Sequence, residues 1–97
     1  MKALIVIDEA ESDIDEAFGF YLPRSEAVAD RFLAAIGAVL LRVQNNPTAF
    51  PRVNQIVRRA RILGFPHSVY YREDPDLIIV VAVFHGRRHP SIWKARR

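Results

Sequence analysis

Residues 56–84 read IVRRARILGFPHSVYYREDPDLIIVVAVF, three strand-like runs parted by two short turns. The runs are 56–63, 67–72 and 77–84, rich in β-branched and aromatic residues, with Gly64-Phe65-Pro66 and Glu73-Asp74-Pro75-Asp76 between them. Turns this short join antiparallel neighbours, so the stretch predicts a three-strand meander. The last run is apolar throughout, which places it in the centre of a sheet.

Upstream, residues 2–7 (KALIVI) form a short and almost continuous apolar run, expected as a strand buried on both sides. From Glu9 the period changes. Ala10, Ile14, Ala17, Phe18 and Tyr21 fall on one stripe of an amphipathic helix, and Glu9, Glu11, Asp13, Asp15 and Glu16 stand in its first turns as a solvated acidic face. Leu22-Pro23 ends it, because a residue before proline is pushed out of the helical region. Ser25 is an N-cap for a second helix with the stripe Ala29, Phe32, Ile36, Val39, Leu40 and Val43, stopped at Asn45-Asn46-Pro47. Gly37 within it is read as a close approach to the first helix. The order is βααβββ. It predicts a single α+β domain over residues 1–97, an antiparallel sheet with a helical hairpin packed on one face.

Composition narrows the function. An apolar share of 51% and a charged share of 26% describe a folded globular chain. The absence of cysteine excludes disulfides, thiol catalysis and thiolate metal sites. No apolar stretch approaches the length of a signal peptide's core or a membrane span, so a cytoplasmic protein without membrane contact is expected. Net charge is +3, unevenly placed. Residues 1–50 hold four Lys/Arg against eight Asp/Glu, a net of −4, and residues 51–97 hold ten against three, a net of +7. A basic half on an acidic scaffold points to a polyanion or an acidic peptide as partner, and a solvated arginine-rich face is the plainer alternative.

Two clusters carry that charge. In Arg58-Arg59-Ala60-Arg61, strand alternation puts Arg59 and Arg61 on one face and Arg58 on the other. If helices cover one face, the arginines of the opposite face lie on an open surface, where a planar guanidinium binds two oxygens of a phosphate or carboxylate at once. Charge guarding an edge strand would look the same. The second cluster, His85-Gly86-Arg87-Arg88-His89-Pro90, follows the central strand. It could bind phosphate, with histidine moving a proton, or Arg88 could pair with an acid of the first helix. His85 and His89 lack a third ligand nearby, so no metal and no cofactor is expected. Tyr70 and Tyr71 alternate, one toward the core and one toward the open side, and Trp93 anchors the tail.

Several segments in order resemble the RelE/ParE toxin superfamily: Ala10-x-x-Asp13-Ile14-x-Glu16-Ala17-x-x-Phe20-Tyr21, Asn46-Pro47-x-x-Phe50-Pro51, Arg61-x-x-x-Phe65-Pro66-His67-x-x-x-Tyr71, Val81-x-Val83-x-His85 and Arg88-x-Pro90-x-x-Trp93. The resemblance covers essentially the whole chain and agrees with the βααβββ order. It implies a toxin of a type II toxin–antitoxin pair, held by a cognate antitoxin. RelE-like members of the superfamily cut ribosome-bound mRNA, and ParE-like members poison DNA gyrase. Arg87 matches one RelE-type arginine, but Trp93 stands in place of a tail tyrosine and His67 in place of a catalytic arginine. A lysine pair before the second strand is absent as well. These departures favour the ParE-like side and a gyrase target. For an RNA-cutting alternative, the resemblance leaves Arg61, His67, His85 and Arg87 as the acid–base set, with the ribosome and mRNA as partners. For a protein target or the antitoxin, the binding residues are Arg58, Arg59, Arg61, Tyr71, Arg87, Arg88 and Trp93.

Overall fold

A computed structural model describes residues 1–85. It contains β1 (Ala3–Val6), α1 (Asp8–Tyr21), α2 (Glu26–Asn45), a 3-10 turn at Pro47–Ala49, β2 (Val57–Arg61), β3 (His67–Glu73) and β4 (Leu77–His85). The sheet order is β1-β4-β3-β2. β2, β3 and β4 form the expected antiparallel meander, and β4 lies between two neighbours as its apolar run requires. The expectation of an antiparallel sheet is corrected at β1, which pairs with β4 in parallel, Ala3 opposite Leu77 and Val6 opposite Val80. The sheet is therefore mixed. β1 is also an edge strand and not buried on both sides: its residues alternate between exposed and half-buried. A four-residue apolar run looks alike in both places, since sequence carries the strand but not its neighbours.

The two helices cover one face. Ser25 caps α2, its hydroxyl accepting from the Val28 amide at 3.2 Å. Ala29, Phe32, Ile36, Val39 and Val43 form the buried stripe of α2. They meet Ala10 and Ala17 of α1 and Ala60, Val69, Tyr71, Ile78, Val80 and Val83 of the sheet in one core cluster. Gly37 does not approach α1: it is exposed and its surroundings are open. At the end of α1, the Arg24 guanidinium lies 3.8 Å over the Phe20 ring and donates to the Phe20 carbonyl. This satisfies a carbonyl that the helix end leaves without a partner.

A second apolar cluster occupies the opposite face: Val57, Tyr70, Ile79, Val81, Ala82 and Phe84. A β-bulge explains its make-up. Tyr70 pairs with Ala82 while Tyr71 pairs with Val80, so Val81 is an extra residue in β4. Val81 and Ala82 consequently share the far face, and Val80 and Val83 share the helix face. Tyr70 and Tyr71 still alternate, as expected, yet both are buried.

The outer edges differ. β2 is shielded by the loop before it, where Asn54 Oδ1 accepts from the Ile56 and Val57 amides and turns the chain. Pro51 then accepts from the Arg59 amide at 3.0 Å, and Arg52 bridges to Arg58. No comparable segment among the described residues lies along β1.

Candidate functional site

Strand alternation places the arginines of β2 as the sequence implies. Arg59 is opposite Tyr70 and Arg61 opposite Ser68, on the face away from the helices, and Arg58 is opposite Tyr71 on the helix face. Their environments differ sharply. Arg58 is half-buried and donates to the carbonyls of Phe50 at 2.7 Å and Thr48 at 3.3 Å. It fastens the 3-10 turn to the sheet, so its guanidinium is committed inside the fold. Tyr71 is fully buried and its hydroxyl donates to the Pro47 carbonyl at 2.6 Å. Sequence reasoning placed both among the surface-binding residues, and the structure gives both an internal task.

Arg59 and Arg61 lie on the far face, whose apolar residues are themselves buried. Arg61 is exposed. Arg59 is half-buried beside Tyr70, and its Nε has no hydrogen-bond partner among the described residues. Burial pushes the Tyr70 hydroxyl above its ordinary value, and the Arg59 guanidinium, which bonds to it, offsets part of that rise. Arg59 therefore sits half-buried against a packed apolar cluster that includes Val57, Val81 and Phe84, and Arg61 lies exposed two residues further along the same strand face. Apolar surroundings lower the local dielectric and strengthen the attraction of a guanidinium for a carboxylate or phosphate.

The histidines lie elsewhere. His67 and His85 face each other across β3 and β4 with ring centroids 6.3 Å apart. They stand on the helix side, where His67 meets the rings of Tyr21 and Phe32 at 6.2 and 5.2 Å. They border a groove of about 530 Å³ between α1 and the sheet, with Asp13, Phe20 and Tyr21 on its other wall. Arg61 therefore projects from the opposite face of the sheet, and the structure does not bring it together with His67 and His85. Arg87, Arg88 and Trp93 lie outside the described residues. Among the described residues no group of three or more His, Asp or Glu side chains could hold a metal ion. No described helix is long and apolar enough to cross a membrane.

Sequence reasoning missed the role of Asp13, which it assigned to the solvated acidic face. Asp13 is 9% exposed and its Oδ2 accepts from the Val83 amide at 3.0 Å. A signal was present. Asp13 sits three residues after Ala10 and four before Ala17, both buried, and so falls inside the apolar stripe.

The profile of the family described as "ParE toxin of type II toxin-antitoxin system, parDE" matches residues 4–90. The chain is 30% identical over 95 residues to "Toxin ParE2" of Mycobacterium tuberculosis (strain ATCC 25618 / H37Rv), covering 97% of this chain and 90% of that protein. The same identity and coverage hold for the protein of that name from strain CDC 1551 / Oshkosh. A chain of the solved structure "Chromosomal ParDE TA system from P. aeruginosa" superposes with a TM-score of 0.76 at 18% identity, over 88% of this chain and 96% of that one. At that identity the superposition speaks for the fold.

Proposed function

The chain belongs to the ParE toxin family of type II toxin–antitoxin systems, and on that footing we propose that it arrests growth by acting on DNA gyrase and is neutralised by a cognate antitoxin. In this reading an acidic segment of the antitoxin passes beside β2, its carboxylates on Arg59 and Arg61. The observation that carries it is that Arg59 and Arg61 lie on one face of the sheet and His67 and His85 on the other. Acid–base cleavage of RNA needs a proton carrier and a phosphate-binding arginine at one phosphodiester. A protein partner needs only cations on one face within its reach, and Arg59 and Arg61 share a face of β2.

Purified toxin is tested in a gyrase supercoiling assay with and without antitoxin. Inhibition that antitoxin relieves is expected. Unaffected supercoiling at high molar excess rejects gyrase as the target. New mRNA ends within codons after induction would move the reading to ribosome-dependent cleavage.

A further inference from the structure

From Arg31 to Arg72 the chain carries seven arginines and neither aspartate nor glutamate. A counter-charge for this stretch has to come from elsewhere. Arg72 finds one in Asp74 at 3.6 Å. Three others, Arg42, Arg52 and Arg58, gather around Phe50 on the helix side of β2, away from Arg59 and Arg61.

The backbone brings them there. The Val53 amide donates to the Val57 carbonyl at 2.9 Å and the Arg59 amide to the Pro51 carbonyl at 3.0 Å, which leaves Arg52 and Arg58 as the pair between these bonds. Side chains of such a pair stand closest and on one face, and like charges set opposite each other are destabilising. Arg58 points to the helix face, so Arg52 does too. Arg42, in the last turn of α2, brings a third guanidinium to 5.4 Å from the centre of the Phe50 ring. Arg58 Nη1 donates to the carbonyl of that same phenylalanine at 2.7 Å. None of the three arginines forms an ion pair among the described residues.

An anion seated among them turns this repulsion into attraction, and the planar fork of arginine suits the paired oxygens of a phosphate. Arg42 and Arg52 are exposed and can reach it, whereas Arg58 is held by two carbonyls and supplies fixed charge. Exposed Asn45, Asn46 and Thr48 add neutral donors of the kind that meet a nucleic-acid backbone. Phe50 is half-buried, faces Arg42 and meets Tyr71 edge-on with centroids 6.3 Å apart. It is therefore not open to stack on an unpaired base, which disfavours a single strand. The same covering disfavours a protein ligand, because protein interfaces centre on accessible apolar area.

We propose that Arg42, Arg52 and Arg58 form a second anion site on the toxin, which holds the phosphodiester backbone of duplex DNA without reading its bases. The site stands apart from Arg59 and Arg61 and does not depend on which protein the toxin acts on.

The full chain is titrated into a fluorescein-labelled duplex of about 20 base pairs at about 50 mM salt and followed by anisotropy. Saturable binding is expected. Arg42→Gln or Arg52→Gln should weaken it roughly fivefold and reduce the slope of log affinity against log salt by about one. Arg31→Gln removes an equal charge from another exposed position of α2 and should leave the affinity within about twofold. Matching circular-dichroism melting curves establish that the variants are folded. Amide shifts in the isotope-labelled wild-type chain, expected at Thr48, Ala49, Phe50 and Arg52, give the same test without a variant. Shifts confined to other regions overturn the proposal, as does the absence of saturable binding. Equal weakening by Arg31→Gln overturns it in favour of bulk charge. A single strand of the same length that binds as tightly overturns the duplex. Displacement by polyglutamate at equal charge concentration overturns it in favour of an acidic protein. Displacement by inorganic phosphate, at an ionic strength matched with chloride, overturns it in favour of a small anion.

Discussion

Asp13 and Val83, seventy positions apart, are joined by a hydrogen bond of 3.0 Å from the Val83 amide to the Asp13 carboxylate. β1 ends at Val6, opposite Val80, so among the described residues no strand flanks the rest of β4 on that side. The first helix supplies an acceptor in its place. The bond couples α1 to the central strand at the wall of the groove.

Asp13→Ala leaves a buried amide without an acceptor. A loss of about 2 to 3 kcal/mol in stability is expected, measured by urea unfolding of the purified chain. Asp13→Asn keeps a carbonyl oxygen and should lose less. Equal losses in the two variants would assign the role to charge and not to the acceptor.

Tyr71→Phe removes the hydroxyl bond to Pro47 and should lower stability by about 1 kcal/mol. The same hydroxyl shapes the alkaline limit. Burial raises it from 10.0 to about 12, with Arg58 opposing the rise and Glu73 adding to it. The native state thus holds a proton that the unfolded chain has released. Stability is full below about pH 10 and falls as pH rises toward 12. Tyr71→Phe should keep only the smaller decline due to Tyr70, which is raised in the same direction. Denaturant midpoints between pH 9 and 12 measure the difference.

Arg58 and Arg61 should separate stability from recognition. Arg58→Ala strips two carbonyls of their donor and should lower stability by about 1 to 3 kcal/mol. Arg61→Ala, at an exposed position, should leave the melting temperature unchanged and weaken antitoxin binding roughly tenfold. Calorimetry on both variants checks this. An Arg61→Ala protein that binds antitoxin normally would remove that arginine from the interface.

Ser25→Ala deletes the hydroxyl that accepts from Val28 at the start of α2. About 1 kcal/mol is expected to be lost, with the helical signal in circular dichroism retained up to the lowered melting temperature.

Elements held by local physics could be read from residue order. The buried stripe Ala29, Phe32, Ile36, Val39 and Val43 keeps its helical period, and Ser25 caps that helix as its type and place imply. Gly64, at φ 86°, turns β2 into β3, a backbone that favours glycine. The apolar run of β4 sits centrally, and Arg59 and Arg61 share a face because strand alternation has a period of two.

What tertiary structure alone decided are the meetings between distant segments. Residue order carries no record that β1 joins β4 in parallel, or that no other described strand pairs with its far edge. Nor does it record the bulge at Val81, which changes which side chains of β4 face the helices. Asp13 is buried because Val83 needs an acceptor where β1 has ended. Arg58 and Tyr71 turned inward because the carbonyls of Phe50 and Pro47 came within reach. Local propensity fixes what each segment is, whereas satisfying buried polar groups is settled only when remote segments pack.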